Sequence, residues 1–361
     1  MAALRYFAAA VALALGNGAP AAAQKASTPP AVVPDSVLIA PQQLVAVEGG
    51  RRLNLYCMGA GAPTVMFEAG AANTMQTWRF VQGEIAKTTR ACAYDRAGLG
   101  FSDAATRPAD VRNMADDLAR LVAAAGIAKP FVLVGHSLGG EIAVYLSATT
   151  PADVAGLVLV DPAFADDVDA LEAALPPEKR HAIGTAMARA LELERVCLDD
   201  ARDGRLERPS SLVEQGCANT PRAPNRLDAA LAAAQRKRLA DAKTWEAVVS
   251  ELEAATPERD HIDANSAELD AATQNFGDKP LIVLSRGVAE SFPGVPPAEI
   301  VGVEAAWISG HAALAARSMR GEHIVVPGAR HYIQIDRPEA VVEATLKVVT
   351  AVNEANNAGQ K

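Results

Sequence analysis

Aromatic residues make up only 4% of the 361-residue chain. Its interior must therefore be built from aliphatic and alanine side chains. Positive charge is also short: 34 Lys and Arg stand against 43 Asp and Glu, a formal net charge of −9. With no basic cluster anywhere, that balance argues against a nucleic-acid partner. No cysteine pair has metal-ligand spacing, and nothing calls for a metal ion or an organic cofactor. No repeat of solenoid period is visible. Beyond the N-terminus no apolar run is long enough to span a bilayer.

What is present is ample apolar material, 50% of the residues, enough for a large core. The first residues carry the pattern of a secretory signal: Arg5, an apolar run Phe7–Leu15, and Ala21-Ala22-Ala23 before Gln24. The expectation is cleavage after residue 23 and export to a periplasmic or extracellular compartment. In an oxidising compartment the four cysteines can pair. Cys197 and Cys217, 20 positions apart in a polar and helical region, are expected to form a disulfide. A bridge closing so short a loop is worth about 3 kcal/mol in the chain-entropy description. Cys57 and Cys92 lie in strand-like runs and could equally be small buried hydrophobes.

Residues 24–40, rich in Pro, Ala and Ser, read as a loose lead-in. Strand and helix patterns then alternate. Strands are expected at Leu53–Cys57, Thr64–Phe67, Ala91–Tyr94, Phe131–Val134 and Leu157–Val160, and helices at Val111–Ala124 and Glu141–Ala148. This alternation predicts an α/β fold, a mostly parallel central sheet flanked by helices. The rhythm breaks after Pro162. Residues 163–278 hold no convincing strand but have helical runs near Ala182–Leu198 and Arg226–Ala254. Strands resume at Leu281–Leu284 and His323–Val326, and a last helix runs from Pro338 to about Ala351. The expected organisation is a core in two parts, 41–162 and 279–361, with 163–278 inserted as a helical cap. The cap should sit over the strand ends, where open α/β sheets bind ligands.

The sharpest motif is Gly135-His136-Ser137-Leu138-Gly139. An apolar strand runs into it and a helix runs out, the strand–turn–helix setting of a nucleophile elbow. Small residues flank the serine because the turn is tight. A serine hydroxyl needs an adjacent base before it can attack. Of six histidines, 136, 181, 261, 311, 323 and 331, His331 follows the strand Ile324–Val326 through Pro327-Gly328-Ala329-Arg330. That places it in a loop at a strand's carboxyl end, so it is the expected base. His136 is expected to pack inside the elbow, and Trp78 to lie in the core. Developing oxyanion charge needs backbone donors, of which the N–H of Leu138 is one.

These features together resemble the α/β-hydrolase family over nearly all of the chain after residue 41. The residues that carry the likeness are the elbow at Ser137, Tyr94-Asp95-Arg96-Ala97-Gly98-Leu99-Gly100-Phe101-Ser102, Leu157–Pro162 and Gly328-Ala329-Arg330-His331. The resemblance implies the chain order nucleophile, acid, histidine. It offers two places for the acid. Glu290 fits a position shortly after the strand that follows the cap, in Gly287-Val288-Ala289-Glu290. Asp161 fits the end of the strand before the cap. A strand end followed by Pro162 holds a side chain more steadily than the turn-rich run after Glu290, which favours Asp161. The resemblance also implies a second oxyanion donor at Ala71, after Gly70. Where relatives often carry His-Gly, this chain has Glu68-Ala69-Gly70. Asp95 and Arg96 are expected to brace their turn.

The implied reaction is acyl transfer to water through an acyl-enzyme on Ser137, with an ester, thioester or lactone as the small-molecule acyl substrate. A serine at the elbow argues against dehalogenase and epoxide-hydrolase chemistry, which by resemblance use a carboxylate there. The alternatives are an acyltransferase, in which an alcohol replaces water, and a non-catalytic ligand-binding module on the same scaffold.

Overall fold

The computed structural model describes residues 31–219, 229–257, 262–272 and 275–358. The expected signal peptide, the first part of the lead-in and His261 lie outside the described residues. The described residues from Ala31 onward belong to one compact unit. From residue 31 on, the lead-in is packed rather than loose, with Val33 and Leu38 buried in the core.

Eight strands form one sheet: β1 (Gln43–Ala46), β2 (Arg52–Met58), β3 (Val65–Glu68), β4 (Ala91–Tyr94), β5 (Phe131–His136), β6 (Val154–Val160), β7 (Leu281–Arg286) and β8 (Gly321–Val326). Their order is β1-β2-β4-β3-β5-β6-β7-β8. The pairs β1/β2 and β2/β4 are antiparallel, and every pair from β4/β3 to β7/β8 is parallel. Parallel strands need both faces covered, and the alternation of side chains shows both covers. Leu133, Leu157 and Leu159 point into one cluster with Leu118, Leu121, Ile142 and Leu146. Val132, Val134, Val158 and Val160 point into the other with Trp78, Ile85, Val341, Ala344 and Val348.

The helices of the first face are α1 (Val111–Ala124) and α2 (Leu138–Thr149). Asp110 caps α1 by accepting from the Asn113 N–H at 2.8 Å, and Val111, Met114, Ala115, Leu118, Leu121 and Val122 make its buried stripe. Truncating the wholly buried Leu118 to alanine would cost about 2–5 kcal/mol by leaving a cavity in that stripe.

Between β6 and β7 the chain is helical among the described residues. It runs through α3 (Asp167–Ala173), α4 (Ala182–Arg202), α5 (Leu212–Asn219), α6 (Ala229–Leu239), α7 (Ala242–Ala255) and α8 (Ala264–Ala271). The long helix expected over Arg226–Ala254 is broken at Ala240–Asp241, where Asp241 accepts from the Lys243 N–H and starts α7. Leu191, Leu198, Leu239, Trp245 and Val248 give the insertion its own small core, joined to the sheet domain by Leu99. The Cys197–Cys217 disulfide ties α4 to α5. Cys57 and Cys92 are bonded too, directly opposite each other on β2 and β4. After the insertion come α9 (Pro297–Ala315) and, following β8, α10 (Pro338–Ala358), which covers the second face.

Candidate active site

Ser137 sits between β5 and α2, partly exposed, with φ 52° and ψ −125°. A non-glycine residue at such a φ is strained, and the structure around it must hold it there. Hydrogen bonds do this on both sides. The Ser137 N–H donates to the Val160 carbonyl at 3.2 Å, and its carbonyl accepts from Gly140 N–H at 2.7 Å and Ala163 N–H at 3.2 Å. A side chain at Gly139 would collide with the backbone of Glu68 and Ala69, which is why α2 can approach β3 only with glycine there. Asp161 and Ala72 also have positive φ, 43° and 59°, so three of the four such non-glycine residues among those described surround this site.

Asp161 follows β6 and is wholly buried. Its Oδ2 accepts from His331 Nδ1 at 2.7 Å and from Arg286 Nη1 at 3.1 Å. Its Oδ1 accepts from the Arg286 N–H and from Trp307 Nε1, both at 3.0 Å. Burial alone would raise this carboxyl. The His331 hydrogen bond and charge, with Arg286 and His311, overcome that and hold it far below the usual carboxylate range. Arg286 is itself held by Glu304 at 2.9 and 3.1 Å. Glu290 goes elsewhere: it is partly exposed, 4.0 Å from Arg286, and makes no hydrogen bond to His331.

His331 stands in the loop after β8, four-fifths buried. Burial pulls its pKa down, but the bond from Asp161 and the charges of Glu290 and Asp161 carry it above the usual 6.5. Its carbonyl lies 3.0 Å from His136 Nε2, and the two rings meet tilted by 46° with centroids 4.6 Å apart. His136 is buried as expected of a packing residue, and burial together with the His331 charge pushes its pKa well down. The bond to Asp161 fixes the proton of neutral His331 on Nδ1 and leaves Nε2 as the basic nitrogen. Ser137 Oγ and His331 are not hydrogen-bonded to each other here. Such contacts commonly tighten only when substrate is bound.

The two expected oxyanion donors flank Ser137. Leu138 begins α2, so its N–H is among those left without a partner inside the helix. Ala71 follows Gly70, where a Cβ would stand 3.2 Å from Ser137 Cβ. The loop carrying Ala71 is held by Arg96, which braces far more than its own turn. Arg96 Nη1 donates to Glu68 Oε1 at 2.7 Å and to the Ala69 carbonyl at 2.5 Å. Its Nη2 donates to the Gly70 carbonyl at 2.7 Å, and its Nε to Glu251 Oε1 at 2.8 Å. The other oxygen of Glu251 accepts from the Ala72 N–H at 2.6 Å. Glu251 lies on α7, so a carboxylate from the insertion fastens the loop that carries Ala71. Sequence reasoning missed it, since nothing local marks one glutamate of an alanine-rich helix. Asp95 does brace its turn, accepting from Asn54 Nδ2 and Met75 N–H at 2.9 Å and from Phe101 N–H at 3.1 Å.

A second Ser–His–Asp grouping was also missed. Ser285 Oγ, wholly buried in β7, lies 2.6 Å from His311 Nδ1 and 2.7 Å from His323 Nε2. His311 Nε2 lies 2.8 Å from the Pro162 carbonyl, which can only accept. His311 therefore donates there from Nε2 and accepts the Ser285 hydroxyl at Nδ1. Asp161 Oδ1 is 4.0 Å from that same Nδ1. Burial lowers His311 to about 4, keeping it neutral.

Trp78 is fully buried, as expected of a core residue. Among the described residues no group of three or more His, Cys, Asp or Glu side chains could hold a metal ion, and no helix is long and apolar enough to cross a membrane.

Residues 63–182 match the family described as alpha/beta hydrolase fold. Over 119 residues the chain is 37% identical to 2-hydroxymuconate semialdehyde hydrolase of Pseudomonas sp. strain CF600, covering 32% of this chain and 41% of that protein. Over 103 residues it is 37% identical to an AB hydrolase superfamily protein of Gibberella zeae, covering 27% and 32%. The aligned part spans less than half the length of these curated relatives. Its structure is similar to that of a thermophilic esterase from Thermogutta terrifontis, with a TM-score of 0.55 at 20% identity over 87% of this chain and 99% of that one. At that identity the likeness is one of fold. The sheet order, the helical insertion and the match of residues 63–182 give the chain the alpha/beta hydrolase fold.

Proposed function

We propose that the chain is a serine esterase acting through an acyl-enzyme on Ser137. The observation that carries this reading is the 2.7 Å bond between His331 Nδ1 and a buried, multiply held Asp161, beside a serine at a strained strand–helix turn. In this reading His331 Nε2 takes the Ser137 proton as Oγ attacks the carbonyl carbon. The Leu138 and Ala71 N–H groups stabilise the oxyanion, and Asp161 stabilises the imidazolium. His331 then protonates the leaving alcohol, and water repeats the sequence to release the acid. Carboxylic esters, thioesters and lactones all fit this chemistry, and an alcohol in place of water would make the same site an acyltransferase. The cap is proposed to extend over 163–278. Export is proposed on the signal pattern of residues 1–23, with two disulfides as support.

A second reading is favoured by one observation, the direct Ser285–His311 hydrogen bond near Asp161. It would make Ser285 the nucleophile. Against it, Ser285 is wholly buried, and serine and acid face the same ring nitrogen of His311, leaving no acid behind the imidazole. Ester hydrolysis by folded Ser137→Ala and Ser285→Ala proteins separates the two. A loss of roughly 10⁴–10⁶ in turnover is expected for Ser137→Ala alone. Near-normal turnover in folded Ser137→Ala protein removes the assignment.

A further inference from the structure

We propose that the cleft beside the oxyanion loop is a carboxylate-binding subsite centred on Arg238, so that the substrates of this site are esters carrying a free carboxylate. The inference rests on the esterase reading of Ser137 and adds the class of substrate. The cleft is small, about 40 Å³, and partly open to solvent. One wall is the segment that begins at Ala72 and Asn73, directly after the proposed donor Ala71. The other is the insertion, through Arg238 and Leu239 at the end of α6 and Thr244 on α7. Asn73 ties the two places together: its Nδ2 donates to the Ala71 carbonyl at 2.7 Å and to the Tyr332 hydroxyl, next to His331, at 3.3 Å. In the proposed pose the acyl chain on Ser137 runs past Gly70, whose added Cβ would stand 3.2 Å from Ser137 Cβ, toward the cleft wall at Ala72.

Arg238, partly exposed, differs from the three buried arginines among the described residues. Arg51, Arg96 and Arg286 each pair with a carboxylate at 3.1 Å or less. Among the described residues Arg238 has no carboxylate within ion-pair distance. Its polar contact is a long 3.5 Å approach to the Leu38 carbonyl, and its guanidinium lies over the Phe101 ring, 5.4 Å from the centroid. The nearest acid that influences it, Asp95, is spent on Asn54, Met75 and Phe101. Burial pulls the guanidinium below its ordinary pKa, yet a guanidinium stays charged at any physiological pH. A cation withdrawn from water without a counter-charge is costly, and a ligand carboxylate would relieve that cost with a two-pronged hydrogen bond. Thr244 supplies a second, independent sign. It lines the same cleft, is 6% exposed, and its buried hydroxyl has no hydrogen-bond partner among the described residues. In a chain of net charge −9 a solitary, partly buried cation is not a generic surface feature.

The test uses methyl monoesters of the linear dicarboxylic acids from succinate to suberate, each paired with the neutral methyl ester of the monocarboxylic acid of equal length. The wild-type protein is expected to prefer at least one monoester over its neutral partner by about tenfold or more in kcat/KM, the worth of one charge-assisted bond. Arg238→Gln should bring that ratio to about unity, chiefly through KM, and Arg238→Lys should restore part of it. If no monoester beats its partner, or if Arg238→Gln keeps the preference, the subsite is wrong. Should neither ester class be hydrolysed, the esterase reading fails, and the subsite is read by calorimetric binding of the free dicarboxylates to wild-type and Arg238→Gln protein. Binding that depends on Arg238 upholds it, and absence of binding, or equal binding to both proteins, overturns it.

Discussion

Two serine–histidine pairs share one aspartate in this molecule, and they differ in almost everything except residue type. Ser137 stands at a strained turn between β5 and α2, reachable from solvent, and the histidine nearest in role, His331, donates from Nδ1 to Asp161. Ser285 is sealed inside β7, bonded to His311 and His323 at once, with Asp161 on the same side of His311 as the serine. The first arrangement leaves Nε2 basic and free to move a proton. In the second both ring nitrogens of His311 are occupied, one by Ser285 and one by the Pro162 carbonyl. The lesson is that proximity of the three side chains is not enough. The acid must lie behind the imidazole, and the hydroxyl must reach substrate.

The sharpest way to break this contrast is at the shared acid. Asp161→Asn should lower turnover by up to roughly 10⁴-fold, because an amide favours the wrong tautomer of His331. Glu290→Gln in folded protein should stay near wild type. Comparing both on one ester is the measurement, and the reverse outcome would give the acid role to Glu290. The pH profile carries the same information. His331 must be neutral to accept a proton, so kcat/KM should rise with pH through its pKa. With that pKa raised by Asp161, the acid limb should lie above 6.5 in the wild type. Removing the Asp161 charge should move it to lower pH.

A smaller effect is expected from the insertion. Glu251→Ala should lower kcat by roughly 10- to 100-fold with KM little changed, because the Ala72 N–H and Arg96 lose the carboxylate that fixes the loop carrying the proposed donor Ala71. Glu251→Gln keeps an oxygen for the Ala72 N–H and should recover part of the loss. A fall in KM or stability alone, with kcat intact, would show a purely structural role.

Ser285→Ala sharpens the contrast from the other side. It should change turnover by less than about tenfold but lower stability by about 1–3 kcal/mol in chemical denaturation, since two imidazole nitrogens lose their partner.

The smallest effect concerns Asp167, an acid without the cations that hold Asp161. Burial and the neighbouring Asp263 push its carboxyl up to about 7. A carboxyl raised in the folded state contributes stability that is fully present below its ordinary 3.8 and is lost as pH climbs from there through about 7. Asp167→Asn should therefore raise Tm by about 1–3 °C at pH 8 and by clearly less at pH 5, as read by thermal scans.

Much of this was legible in the sequence because it is local. The strand β4 and the helix α1 begin and end where the apolar pattern says, and the elbow is written in five consecutive residues. His331 could be singled out because it follows a strand end. The choice between Asp161 and Glu290 was not settled by pattern. It rests on which side chain reaches a ring 170 positions away, and only packing answers that. Glu251 was invisible for the same reason, meeting Ala72 across a separation of 179 residues. His311 and His323 looked like ordinary members of a helix and a strand, and Ser285 like a polar residue in an apolar run. Their meeting depends on β7, β8 and α9 lying against one another. The break between α6 and α7 went unseen because Ala240-Asp241 carries neither proline nor glycine.

The central claim, that Ser137 and not Ser285 is the nucleophile, is tested most directly by reacting the folded wild-type protein with a fluorophosphonate and mapping the modified peptide by mass spectrometry. One adduct is expected, on Ser137, formed faster as pH rises through the His331 pKa and suppressed in Asp161→Asn protein. An adduct on Ser285, or none on Ser137 in protein that hydrolyses esters, would contradict it.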